Sequence, residues 1–220
     1  MLPRVKINYL NGLLGTAPEN QDGLLMLVVI GAAAVSDTFE LGKPYRIQQP
    51  ADLEALGVTA TNNARLVELV GQFYGEAEEA TPVYVLGLAG TYTMTTACDH
   101  LDGPLTGIIQ GLKGILRGVI VAEDSDATPT VTEGLDPDVF TALPKAQALA
   151  DYAASNFYSP IFVVLEGRAY AGASSLKDLS SQDYNRVAVF IGDTAESSKN
   201  AAVGVLAGRI ASVPVQRNIG

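Results

Sequence analysis

Residues 24–35 read Leu-Leu-Met-Leu-Val-Val-Ile-Gly-Ala-Ala-Ala-Val, the longest apolar stretch of the chain, with one Gly and no charge. It is too short to cross about 30 Å of hydrocarbon as a helix. An uncharged run of this length reads as a strand buried on both faces, and Leu24 to Ala32 is assigned as the first buried strand.

The same kind of segment recurs downstream. Val83 to Leu88, Gly118 to Ala122, Ile161 to Leu165 and Val187 to Ile191 are nearly all apolar. Between them lie stretches of helical period. Pro50 opens a helix through Leu56 with Gly57 as its stop, and a second helix runs from about Asn63 to Gly75 on Leu66, Leu69, Val70, Phe73 and Tyr74. Further helices are read near Leu105 to Leu112, over Pro137 to Phe157 and from about Ser198 to Ser212. Buried strands alternating with amphipathic helices predict an α/β fold: a mainly parallel, doubly wound sheet with helices on both faces. Asp136 is placed to cap the helix that Pro137 begins, and Val139, Phe140, Leu143, Leu149, Tyr152 and Ala153 form its buried stripe. Pro144 falls within that stripe, which predicts a break or kink. In the last helix, Gly204 and Gly208 predict close packing on the sheet. Phe39 to Ile47 reads as a short extended excursion.

Ahead of the first buried strand, Val5, Ile7 and Tyr9 alternate with Lys6 and Asn8, the period of a half-buried strand. Asn11, Gly12 and the turn formers from Gly15 to Gly23 separate it from the core as a hinge-like loop. Residues 1–23 are therefore an N-terminal extended arm and hinge, and residues 24–220 the α/β core; the alternation also suits a peripheral hairpin strand of the same domain. The first residues carry Arg4 and Lys6, but Asn8, Asn11 and Gly12 interrupt any apolar signal region.

The 220 residues carry 24 acidic and 14 basic side chains, a formal charge of -10, so the average field repels phosphates and anionic lipid. Nucleic acid and membrane are not expected as partners. With 48% hydrophobic and 17% charged residues, the chain has the apolar content to close a core. The single Cys98 excludes an intrachain disulfide and a thiolate zinc cage, and a reducing cytoplasm suits it.

Chemistry is scarce. The one histidine, His100, sits two residues from Cys98 in a polar segment without a nucleophile elbow. Leu86-Gly87-Leu88-Ala89-Gly90 occupies the place of a phosphate-binding turn but lacks the third Gly of a dinucleotide fingerprint and the Lys-Ser/Thr of a P-loop. Gly192-Asp193-Thr194 reads as a turn. Asp124-Ser125-Asp126 begins like a calcium loop without its downstream ligands, and Glu76, Glu78 and Glu79 read as a solvated helix end. No catalytic, cofactor or metal residues are assigned, and no cofactor is expected. A scaffold of this size without a catalytic cluster is expected to present surfaces. The competing expectation is a small-molecule-binding or hydrolytic enzyme with its site at the strand ends near Gly87, Glu123 and Gly192.

The opening Val5-Lys6-Ile7-Asn8-Tyr9-Leu10-Asn11-Gly12-Leu13-Leu14-Gly15, followed by Pro18, Asp22-Gly23-Leu24 and then Pro44-Tyr45 leading into Asp52-Leu53-Glu54-Ala55-Leu56-Gly57-Val58-Thr59, is similar to the start of contractile phage-tail sheath proteins. Val187 to Gly192, Ala202 to Ala211 and the exit Val213-Pro214-Val215 are similar to their core. The resemblance implies a non-enzymatic structural subunit of a phage, prophage or tail-derived injection machine. It would be assembled in the host bacterial cytoplasm and reside in the virion tail or injection apparatus. Implied partners are copies of itself in a ring or helix, the tail tube protein, and baseplate or tail terminator proteins. In this family terminal arms add strands to neighbouring subunits, which assigns that role to Val5, Ile7 and Tyr9, with Asn11, Gly12 and Gly15 as hinge. Val213, Pro214 and Val215 would lead toward a C-terminal domain that the family carries beyond this point, so the chain is expected to be a fragment of a longer protein. The subtilisin-like shape attributed to such cores implies no protease here. A tail-tube or baseplate identity fits less well, because tube proteins are expected to be mostly β-barrel.

Overall fold

The computed structural model describes residues 24–78, 80–124, 130–193 and 199–213. The apolar run forms strand β1 (Leu25–Ile30), and all six of its residues are buried. Successive side chains point to opposite faces: Leu25, Leu27 and Val29 enter one apolar core, and Met26, Val28 and Ile30 the other. A strand with no polar face is thus the centre of a two-sided sheet.

Five further strands complete it: β2 (Tyr45–Ile47), β3 (Val83–Leu88), β4 (Gly118–Glu123), β5 (Phe162–Glu166) and β6 (Val187–Phe190). Their spatial order is β2-β3-β1-β4-β5-β6. Every pairing is parallel except β2 with β3, where Tyr45 faces Val85 and Ile47 faces Val83. The Phe39 to Ile47 excursion is therefore mostly loop: a bridge from Val35 to Phe39 precedes a three-residue antiparallel edge strand.

Helices α1 (Pro50–Ala55), α2 (Ala64–Glu76) and α6 (Val203–Ser212) cover one face; α3 (Met94–Ala97), α4 (Pro104–Gly111) and α5 (Pro137–Phe157) cover the other. The doubly wound, mainly parallel architecture expected from the sequence is the one observed. Gly57 ends the α1 turn at φ +75, a conformation that costs Gly little. Asn63 precedes α2, but its side chain is turned to the loop after β1: Ala33 N donates to Oδ1 at 2.8 Å, and Nδ2 donates to Ala33 O at 3.0 Å. Asp136 does cap α5, accepting from Asp138 N at 3.0 Å.

Three local expectations are corrected. α5 is not broken at Pro144 but spans Pro137–Phe157 as one helix. The missing N–H costs one helical hydrogen bond, and the buried stripe Val139, Leu143, Ala146, Leu149, Ala150 and Ala153 holds both halves on the sheet. The last helix starts at Val203, because the preceding backbone is drawn to strand ends: Ala169 N donates to Lys199 O at 2.7 Å and Ala202 N to Gly192 O at 2.7 Å. Finally, Gly204 and Gly208 face α2 rather than the sheet. A Cβ at Gly204 would fall on the carbonyl oxygen of Leu69, and one at Gly208 on that of Phe73. The four-residue α3 went unread in the sequence. It forms because Thr93 caps it and Asp138 of α5 accepts from Met94 N at 2.6 Å and Thr95 N at 3.3 Å.

Candidate functional site

In parallel sheets of this kind, ligands bind beyond the carboxyl ends of the strands where the strand order reverses. Here the reversal lies between β1 and β4. Their ends are stapled together: Asp124 N donates to Ile30 O at 2.7 Å, and a Cβ on Gly31 would lie 2.9 Å from that of Asp124. The two strand ends therefore lie in direct contact at Gly31 and Asp124.

Beside it lies the main concentration of buried charge. Glu166, at the end of β5, is 0% exposed, and Arg65 of α2 is 3% exposed. Arg65 Nη2 donates to Glu166 Oε1 and, at 2.8 Å, to Ala201 O. Glu166 also accepts from Ala201 N at 2.9 Å and, through Oε2, from Glu123 N at 2.9 Å. One carboxylate thus ties α2, β4, β5 and the segment entering α6. Burial pushes the Glu166 carboxyl above its usual range, against the pull of Arg65 and the two N–H donors. Two residues on, Arg168 Nη1 lies 2.7 Å from Glu123 Oε2 and 3.4 Å from Asp136 Oδ2. Burial likewise raises Glu123, partly offset by Arg168.

Four acids at this edge hold elements in place: Glu166 and Glu123 neutralise guanidinium groups, Asp136 caps α5 and Asp138 caps α3. None of these four projects as a free general base or nucleophile toward a described cleft. The strand-end residues singled out for an enzymatic site are not brought together. Gly87 lies within β3, where a Cβ would strike Ala32 and the Phe39 ring; Glu123 ends β4; Gly192 follows β6 at the far edge. At about 4.8 Å per strand they span nearly the whole sheet.

Cys98 and His100 do not pair either. Cys98 is fully buried in the core beneath α3 and α5, and burial pushes its thiol up to about 12. His100 packs its ring 5.3 Å from that of Tyr152. Iodoacetamide at about pH 8.5 is expected to leave Cys98 unmodified in the folded protein and to alkylate it in denaturant. Mass spectrometry of both samples checks this, and rapid native labelling would contradict the burial. Among the described residues no group of three or more His, Cys, Asp or Glu could hold a metal ion, and no helix is long and apolar enough to cross a membrane.

Val5, Ile7, Tyr9, Asn11, Gly12 and Gly15 lie outside the described residues, as do Pro214 and Val215. Val213 ends α6 in an extended conformation, φ -115 and ψ 129. Sequence reading missed Arg65, Glu166 and Arg168. The signal was present: Glu166 closes an otherwise apolar strand, and Arg65 stands four residues before Leu69 on the buried stripe of α2.

The model of the DUF2586 family, N-terminal domain, matches residues 2–220. No curated protein matches the chain. Among solved structures, the chain is similar to the anti-feeding prophage helical sheath in its contracted state, determined by cryo-EM, with a TM-score of 0.53 and 14% identity. The superposition covers 99% of this chain and 54% of the sheath chain, so the present chain spans about half the length of that structure. At this identity the likeness is one of fold.

Proposed function

Because this chain belongs to the DUF2586 family through its N-terminal domain, we propose that it is a structural subunit of a contractile tail sheath, from a phage, prophage or tail-derived injection system. The supporting observation is the shared fold: nearly the whole chain superposes on a sheath subunit from a helical assembly. The carboxyl edge of the sheet agrees with a scaffold role, since Glu166, Glu123 and Asp138 there are engaged with Arg65, Arg168 and a helix end. Function in this reading is mechanical. Many copies polymerise around a tail tube, and the energy of contraction resides in contacts between subunits that have two packings. Baseplate or terminator proteins bound the polymer.

Residues 1–23 act as an arm that adds a strand to a neighbouring copy, with Val5, Ile7 and Tyr9 on one side of it and Asn11, Gly12 and Gly15 as hinge. Val213, Pro214 and Val215 form the exit from the core in this reading.

Deleting residues 1–12 from the full-length protein is expected to leave the thermal unfolding of the core unchanged and to abolish tubes in negative-stain electron microscopy. Tubes of normal length from the deletion variant would remove the arm from the assembly mechanism.

A further inference from the structure

Two helices on opposite faces of the sheet carry exposed glycine pairs that no contact among the described residues explains. On α4 the pair is Gly107 and Gly111, and on α2 it is Gly71 and Gly75; a Cβ at any of the four meets no atom within 4 Å. Alanine at such positions would favour the helix by about 0.5–1 kcal/mol each. Gly204 and Gly208, by contrast, are required by the contact of α6 with α2.

The surroundings of the two pairs are complementary. α4 has no charged residue, Pro-Leu-Thr-Gly-Ile-Ile-Gln-Gly. Leu105 and Ile109 face the core, and Leu101, on the loop that leads into α4, is 74% exposed, that loop being held by the bond from Thr106 Oγ1 to His100 O at 3.0 Å. The exposed positions of α4, Gly107, Gln110 and Gly111, carry no charge and leave a flat strip open to a partner. Past its C-terminal end stand the exposed Lys113 and then Arg117, whose guanidinium bonds the carbonyls of Gly114 and Leu116. On the other side of the molecule, α1 and α2 enclose a groove of about 350 Å³ lined by Pro50, Leu53, Val67, Val70 and Gly71, with Glu54 at its rim. The exposed charges of these two helices are acidic; their one base, Arg65, is buried against Glu166.

We propose that α4 of one copy docks against the α1–α2 groove of a second copy. The glycine pairs let the two helices approach closer than the usual 8–10 Å, and Lys113 and Arg117 face Glu54. Since the two surfaces lie on opposite sides of one sheet, the contact is head-to-tail and propagates, giving a ring or a filament. The inference rests on the assembly reading above and names the surfaces that would carry it.

The test uses the full-length chain with Gly107→Gln and Gly71→Gln, alone and together. The space beyond both residues is open and Gln favours helix, so the melting temperature is expected to hold or rise, which excludes misfolding. The critical concentration for polymerisation, read by sedimentation, is expected to rise about tenfold or more. Lys113→Glu should weaken assembly, and adding Glu54→Lys should restore it. Folded Gln variants that polymerise like the parent would overturn the docking while leaving the assembly reading intact. A parent chain that stays monomeric at every concentration would overturn both.

Discussion

Replacing Glu166 by alanine is expected to lower the free energy of unfolding by about 3–5 kcal/mol, the cost of leaving a buried guanidinium without its counter-charge. Arg65 is almost wholly buried, and its remaining ion pair, with Glu68, lies near the surface. The same substitution removes the acceptor for Ala201 N and Glu123 N, so the entry to α6 and the end of β4 both lose a bond. The joint replacement Arg65→Met with Glu166→Leu is expected to lose much less, because it removes both charges and keeps the volume filled. Urea unfolding of the three proteins decides the matter. A loss below about 1 kcal/mol in Glu166→Ala would mean that the ion pair does not hold the carboxyl edge together.

Gly204→Ala and Gly208→Ala are each expected to destabilise by about 1–3 kcal/mol, although alanine is the better helix former. The new methyl groups would fall on the carbonyl oxygens of Leu69 and Phe73. A helix carbonyl cannot rotate aside as a side chain can, so α6 must move off α2, loosening Val203 and Ala207 from the core they share with Leu69 and Phe73. The double variant should fall further than either. Thermal melts are the readout, and an unchanged or raised melting temperature would mean that the two helices have room to separate without loss.

The fold was legible because its strands are nearly featureless. β1, β3 and β4 show only apolar side chains and Gly to their neighbours, apart from Tyr84 and the terminal Glu123, and such runs have few other uses in a chain of this composition. Helix starts marked by Pro, at Pro50 and Pro137, were equally plain, whereas Pro104 was not read as the start of α4. What escaped was long-range. α3 depends on a carboxylate more than forty residues away, and no window of local sequence contains both partners. Arg65 and Glu166, 101 residues apart, each look like an ordinary polar interruption until the sheet order sets them side by side. Gly204 and Gly208 announced a close approach, but a helix has several neighbours, and the sequence pattern does not say which one comes near. The exposed pairs on α2 and α4 were invisible for the opposite reason: a glycine with empty space beside it reads like any other until coordinates show the emptiness.

The strand that opens the core is also its middle. β1 takes β3 on one side and β4 on the other, and both follow it in the chain. A ribosome therefore delivers the least soluble hexapeptide first and its two partners much later, with α1 and α2 emerging in between. Until then Leu25–Ile30 is a six-residue segment of high β propensity, without charge or proline, and open along both edges. Nascent chains on neighbouring ribosomes would meet one another through this segment before each has closed its own sheet, which places the hazard of aggregation during synthesis rather than in the finished fold.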